Sequence, residues 1–464
     1  MKHWFTLIVL GLFRSAFAAA QPNIVLFLID DLGWKDVGCY GSTFYKTPNI
    51  DRLAAHGVRF TNGYAACAVC SPTRAAILTG KYPARLMLTE WLPSGRWNPK
   101  AKLRSGRFLR ALPLEEITLA EALGRAGYRT GIVGKWHLGG EPFFTAKHHG
   151  FDVAIAANDH GNPGDYFYPY KGQWSIPTTG LKAKWQVLPG GKKGEYLTDR
   201  LTDEALNFIS GEPDKPFFLY FSHYAVHTPF QAKNKIIRTY EKTPKAMRQG
   251  KPVYAAMIQS VDESVGRVMT ALKELNKLEN TLVIFTSDNG GFAKATNHSP
   301  LRGNKGSYYE GGIRVPFIIH WPGAAKAGQL SKVPVISMDL YPTCLAAAGL
   351  AAHPAQHRDG LNLLPLVKGT GALKREALHW HYPHYNNHPS AVPSSVLRKG
   401  DWKLIETFDP ESVELYHLGR DLSESTNIAA RETAKLLELR QDLAEWRQQV
   451  GAERMEPNPD YREQ

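Results

Sequence analysis

Five short stretches carry side chains suited to chemistry. In Cys70-Ser71-Pro72-Thr73-Arg74 a thiol stands one helical turn from a guanidinium. Pro72 suits the first turn of a helix and Gly80 its end. Cys70 would then sit where unpaired N–H groups and the helix dipole favour an anion, with Arg74 adding a fixed positive charge. That pattern suits a nucleophile that works on an anionic ester. A buried structural cysteine at a helix cap would show the same residues.

Asp30-Asp31 and Asp288-Asn289 are the second stretch and its partner. Adjacent carboxylates repel unless a cation offsets them. Three carboxylates and an amide oxygen form an all-oxygen set, the preference of Ca²⁺ or Mg²⁺ rather than zinc. In Gly134-Lys135-Trp136-His137, Lys135 and His137 are two apart and would project the same way from an extended segment. His223 and His227 bracket a fourth stretch. The fifth, Gly303-Asn304-Lys305-Gly306 with Glu310 and Arg314 beyond it, is a glycine-rich turn that lets backbone approach a ligand.

The elements that must hold these groups can be read beside them. Asn23-Ile-Val-Leu-Phe-Leu-Ile29 is continuously apolar and runs into Asp30, as a parallel strand covered on both faces would. Thr118–Ala126 and Tyr254–Leu275 read as helices. Tyr128–Val133, Phe217–Phe221, Thr281–Phe285 and Val315–His320 read as strands. The polar clusters fall just past strand carboxyl ends, where open α/β sheets bind ligands. From about residue 373 the pattern changes to short strands: 377–382, 395–399, 402–407 and 413–418. Gly400-Asp401 makes a hairpin turn, and an amphipathic helix follows over 431–450, with Leu436, Leu437, Leu439, Leu443 and Trp446 available for packing. The expected fold is therefore α/β: a large, mostly parallel sheet flanked by helices, with a smaller C-terminal domain of antiparallel sheet plus helix. The expected boundaries are 21–372 and 373–464.

Residues 1–20 read as a signal peptide, with Lys2 before an apolar run and Ala16-Phe17-Ala18 or Ala18-Ala19-Ala20 as cleavage sites. The run is too short to span a bilayer. Export to the periplasm or beyond follows, without stable membrane insertion. Over 464 residues, 56 Lys and Arg against 43 Asp and Glu give +13, a surface that attracts polyanions. No nucleic-acid motif is present, so sulfated glycans fit that charge better than DNA. Four cysteines in an exported chain of this length do not make a disulfide scaffold. Cys67-x-x-Cys70 lacks the further ligands of a zinc site.

The run Cys70-Ser71-Pro72-Thr73-Arg74 followed by Ala75-Ala76-Ile77-Leu78-Thr79-Gly80-Lys81-Tyr82-Pro83 closely resembles the signature of type I sulfatases, of the alkaline phosphatase superfamily. The resemblance extends over essentially the whole mature chain. It implies that Cys70 is oxidised to formylglycine (3-oxoalanine) by a maturation enzyme, and that hydrolysis of a sulfate ester passes through a covalent sulfo-enzyme. It implies calcium, ahead of magnesium, at Asp30, Asp31, Asp288 and Asn289, with residue 70 also facing the metal. Lys305 matches the lysine that contacts the sulfate. Lys135 and His137 match the lysine and histidine that contact the formylglycine hydroxyls, His137 as the base for the second step and Lys135 as its electrostatic partner in neutralising the sulfate. His227 matches the general acid at the leaving oxygen. The family's further serine or histidine contact is expected near Asn158-Asp159-His160. Phosphodiester or phosphonate monoester hydrolysis on the same scaffold, or an inactive glycan-binding homologue, are the alternatives. A sulfated carbohydrate is the expected substrate. Its sugar would be held by the aromatic stretch His379–His388, His384 and Asn386 above all, with Gly164–Tyr168 as a second wall.

Overall fold

The computed structural model describes residues 21–92, 100–175, 182–388 and 391–462. The expected signal peptide, 1–20, lies outside them. In chain order the strands are β1 Asn23–Ile29, β2 Val58–Phe60, β3 Arg129–Gly134, β4 Val153–Ile155, β5 Lys171–Ser175, β6 Lys182–Gln186, β7 Phe217–Ser222, β8 Thr281–Ser287, β9 Phe317–His320 and β10 Gln329–Ser331. β11 Ala377–Tyr382, β12 Ser394–Lys399, β13 Trp402–Phe408 and β14 Glu411–His417 follow. The helices used below are α1 Pro48–Ala55, α2 Cys70–Thr79, α3 Leu119–Arg125, α4 Leu197–Ser210, α5 Pro252–Glu274 and α6 Thr433–Val450.

The main sheet has eight strands in the order β10-β2-β9-β8-β1-β7-β3-β4. The four central and edge strands around β1 run parallel to it, and β9 is antiparallel to both of its neighbours. β1 shows why the apolar run forms a central strand. Val25, Phe27 and Ile29 point into one core, with α4 and α5 residues such as Leu201, Ile258 and Val265. Ile24, Leu26 and Leu28 point into the other, with Ile77 of α2 and Leu119 and Leu123 of α3. Burying each such side chain contributes about 1.5–3 kcal/mol, and only a strand with no polar face can fill both cores. α3 begins with a capping box: Thr118 Oγ1 accepts from Glu121 N, and Glu121 accepts from Thr118 N.

At the carboxyl ends the central strands bring the polar stretches together. Asp30 and Asp31 leave β1, Lys135 leaves β3, His223 leaves β7 and Asp288 leaves β8. Gly134 is required where β3 meets β7. Its φ is +103°, and a Cβ there would lie 1.9 Å from the Ser222 carbonyl oxygen.

β11 to β14 form a four-stranded antiparallel sheet, with Gly400-Asp401 as the two-residue turn between β12 and β13. Leu378, Trp380 and Leu404 share a core with Tyr64, Ala66 and Val69, just before α2, and with Leu439, Leu443 and Trp446 of α6. Leu437 is the exception to the expected packing face. It is 67% exposed, because its position on α6 turns it to solvent.

A buried ion cluster ties this sheet to the rest. Lys403 Nζ lies 2.9 Å from Glu310 and 2.7 Å from Glu424, all three without exposed side-chain surface. Burial would raise the Glu310 pKa, yet Lys403 and Arg314 hold it down at about 2. Glu310 and Arg314 therefore join parts of the fold. Removing one partner of such a cluster strands buried charge and costs about 3–5 kcal/mol. Lys403→Met should lower the urea midpoint by that equivalent; an unchanged midpoint would show that the cluster does not hold the small sheet.

Candidate active site

Cys70 opens α2, a helix whose ten residues are all buried. No side chain caps the helix start, and Gly80, at φ +70°, ends it. The first N–H groups are left for another partner. Cys70 Sγ lies 3.7 Å from Asp30 Oδ1. Burial pushes its thiol up to about 12, although Lys135 and Lys305 act the other way.

Around Cys70 three carboxylates interlock with three cations. Lys135 Nζ donates to Asp30 Oδ2 at 2.6 Å. Lys305 Nζ donates to Asp31 at 2.7–2.9 Å. Arg74 donates through Nε and Nη2 to Asp288 Oδ2 at 3.0 and 2.7 Å. Its Nη1 reaches the Lys135 carbonyl at 3.0 Å and Ser222 Oγ at 2.5 Å. Arg74 is thus spent on joining α2 to the ends of β3, β7 and β8. The fixed positive charge expected at Arg74 is present, and it is held by Asp288.

Asp30 and Asp31 are pushed in opposite directions by their surroundings. Burial pushes Asp30 up to about 8 against the pull of Lys135. Asp31 is held well below the usual range, because Lys305, with His227 and Lys135, outweighs its burial. Asp30, Asp31, Cys70 and His227 offer ligand atoms within 4.8 Å of one another, so a buried acidic group beside Cys70 can hold a metal. Asn289 donates to Asp31 at 2.8 Å, while its buried Oδ1 has no hydrogen-bond partner. An orphaned oxygen beside two carboxylates fits a hard cation. Asp288 stands a little apart, its oxygens accepting from Asp31 N and from Arg74.

Two histidines flank the thiol. His137 is in the left-handed region at φ +60°, so it does not sit on an extended segment as expected. Its Nε2 faces the Leu92 carbonyl, and its Nδ1 has no partner. Burial, with Lys135 and Arg74, holds it neutral, well below the usual range. His227 Nδ1 lies 2.9 Å from the Thr228 carbonyl and Nε2 3.7 Å from Asp31 Oδ2. Burial and then Lys305 push its pKa down to about 3. The Lys305 turn is docked by two backbone bonds, Lys305 N to the Gly291 carbonyl and Gly306 N to that of Ala68.

Cys70, His137, His227 and Lys305 line the floor of a cavity of about 270 Å³. Its walls are Trp91, Leu92, His160, Trp185, Phe292 and His388. His160 pairs with Asp159 and lies against Trp185 of β6, ring centroids 4.1 Å apart. A larger cavity, about 780 Å³, opens between β13, β14 and α6, remote from Cys70. Here volume does not mark the chemistry.

The protein-family model described as Sulfatase matches residues 22–350, most of the chain. The chain belongs to the sulfatase family. It is a sulfuric ester hydrolase of the alkaline phosphatase superfamily. A second model, N-sulphoglucosamine sulphohydrolase, C-terminal, matches 304–449. The N-acetylgalactosamine-6-sulfatase of Homo sapiens is 37% identical over 369 residues, 75% of this chain and 66% of that protein, so the chain spans about two thirds of its length. Arylsulfatase A of Homo sapiens is 35% identical over 422 residues, 85% of this chain and 77% of that one. The crystal structure of Ps i-CgsB in complex with k-i-k-neocarrahexaose superposes with a TM-score of 0.76, at 32% identity and 92% coverage of each chain.

In this sulfatase the expected rim needs two corrections. His384 is 1% exposed and bonds Thr89 through Nε2 at 2.8 Å, between the rings of Phe108 and Tyr382. It cannot meet a sugar from there. Tyr166 is likewise buried and donates to the carbonyls of Tyr224 and His227, so it braces the His227 loop instead of forming a wall. Trp91, Trp185 and Phe292 carry no signal in the sequence, since each is a single aromatic outside any periodic pattern.

His223 lies outside the cavity, buried against Ser264 at 3.3 Å. Burial pushes its pKa from 6.5 down to about 3. The unfolded chain takes up that proton first, so the stability it contributes is complete above about pH 6.5 and lost as pH falls towards about 3. Melting temperature should therefore drop between about pH 7 and pH 4, and His223→Gln should make the drop shallower. An identical slope in the variant would remove His223 from the linkage.

Proposed function

We propose that this sulfatase removes sulfate from a sulfated saccharide, with residue 70 as formylglycine and Ca²⁺ beside it. The observation that carries this reading is the position of Cys70: first residue of a buried, uncapped helix, on a cavity floor shared with Lys305, His137 and His227. The aromatic walls above that floor suit a sugar face. Relatives named for N-acetylgalactosamine 6-sulfate, and a neighbour solved with a neocarrahexaose, support a saccharide. Export, a maturation enzyme that oxidises Cys70, and the division at residue 372 belong to the same proposal. No described helix is long and apolar enough to cross a membrane.

Oxidised to formylglycine, residue 70 would supply a hydrated aldehyde whose hydroxyl is a nucleophile toward sulfur. Asp30, Asp31 and Asn289, with Asp288, would hold the calcium, whose charge would offset that of the sulfate. The remaining work falls to the protein's own side chains. Lys305 and Lys135 neutralise the sulfate in a site that excludes water, where such charges count most. His227 orients itself: a carbonyl only accepts, so Nδ1 carries the hydrogen toward Thr228, and Nε2 is the atom that exchanges a proton. Burial and Lys305 favour its neutral form; the negative charge of a bound sulfate beside Nε2 would raise its pKa so that it can serve the leaving alcohol. His137 keeps its hydrogen on Nε2 for Leu92, which leaves the unpartnered Nδ1 as a base.

Steady-state kinetics on sulfated saccharides, an aryl sulfate and an aryl phosphodiester test the proposal. Cys70→Ala should abolish turnover of both sulfates in a folded protein, and chelation should lower it until calcium is restored. His227→Ala should cost a saccharide roughly 10²–10⁴-fold in kcat and the aryl sulfate far less, since a phenol leaves without a proton. Faster turnover of the phosphodiester than of every sulfate would refute the reading.

A further inference from the structure

A second cavity adjoins the first. It encloses about 260 Å³, against about 270 Å³ over Cys70, and the two share Trp91, Phe292 and His388 as a common wall. Phe292 and His388 meet edge to face, ring centroids 5.8 Å apart at 85°. His388 is fixed further by Gly306, where an added Cβ would lie 2.6 Å from the His388 Cβ. The partition is therefore anchored on the same turn that presents Lys305 to the sulfate.

The lining of the second cavity is selective. Lys294 is its one charged side chain among the described residues, and no carboxylate faces it. The Lys294 side chain is exposed and lies in no ion pair among the described residues. Asn386 stands opposite as a braced amide: Nδ2 donates to Tyr382 Oη and Oδ1 accepts from His388 N, each at 3.0 Å. One N–H and one lone pair of that amide remain for a ligand. The Tyr385 hydroxyl donates to Asp409, which leaves its ring as an apolar wall.

We infer that this second cavity is a subsite for the sugar next to the sulfated one, and that it selects a neighbour carrying an anionic group, carboxylate or sulfate, through Lys294. The inference rests on the saccharide reading above and narrows it: the substrate is an anionic oligosaccharide held across two cavities, not a lone sulfated sugar. Trp91 and Tyr385 offer ring faces to the second sugar, Asn386 bonds its hydroxyls, and Lys294 takes its charge. A uronic acid and a second sulfate share that chemistry, and substrate choice separates them.

The test is kinetic, on the mature enzyme. The substrates are 4-nitrophenyl sulfate and sulfated disaccharides differing only in the second residue: a uronic acid, a sulfated sugar or a neutral sugar. The intact enzyme should show a lower KM for one or both anionic disaccharides than for the neutral one. Lys294→Gln should raise the anionic KM about fivefold with kcat unchanged, the size expected of an exposed ion pair. Lys294→Glu should invert the preference between anionic and neutral disaccharides, a reversal that lost packing would not give. Equal effects of Lys294 variants on anionic and neutral disaccharides, or none, would overturn the subsite while leaving the saccharide reading in place. Turnover of the aryl sulfate with no turnover of any saccharide would remove both.

Discussion

Every feature of the site depends on burying three carboxylates and three cations together. A lone buried charge costs several kcal/mol, so none of Asp30, Asp31, Asp288, Arg74, Lys135 and Lys305 is tolerable without the others. The six come from the ends of β1, β3 and β8, from α2 and from the Lys305 turn. Their mutual pairing therefore fixes how those elements meet. Arg74 is the clearest case, since its guanidinium bonds Asp288, the Lys135 carbonyl and Ser222 at once.

That closure also sets the chemistry available. Lys135 and Lys305 rest on Asp30 and Asp31, so the cations are held in place by the fold beside Cys70. The same burial favours the neutral forms of His137 and His227. Substrate charge, when it enters, changes the proton affinity of groups that were poised without it. The sheet supplies this floor, while the walls come from excursions: the β5–β6 hairpin brings Trp185, and the stretch after β11 brings His388.

The charge cluster under the cavity was legible in the sequence because most of it follows from strand ends. An unbroken apolar run of seven residues suits a doubly covered strand better than a helix, which places the polar pair after it at the sheet's carboxyl edge. Asp30, Asp31, Asp288 and Lys135 were placed by that logic, and the helix start at Cys70 by Pro72 and Gly80. The two-residue spacing does not place His137, whose backbone is left-handed; the resemblance around Gly134-Lys135-Trp136-His137 is what singles it out. The walls were legible only in part. His160 lies in the region named for a further contact, yet Trp91, Trp185 and Phe292 come from separate loops joined solely by the tertiary fold. His384 illustrates the opposite error. An aromatic-rich stretch past a strand end does not reveal which ring turns inward, and Thr89 draws His384 under the surface while His388 emerges.

The central claim is that residue 70 works as an aldehyde set into this charge cluster. Mass spectrometry of the residue-70 peptide, taken from enzyme active on a sulfate ester and made with a maturation system, tests it most directly. The account requires 3-oxoalanine at that position, in a fraction that tracks activity across preparations. Full activity from protein carrying only unmodified cysteine at residue 70 would contradict it.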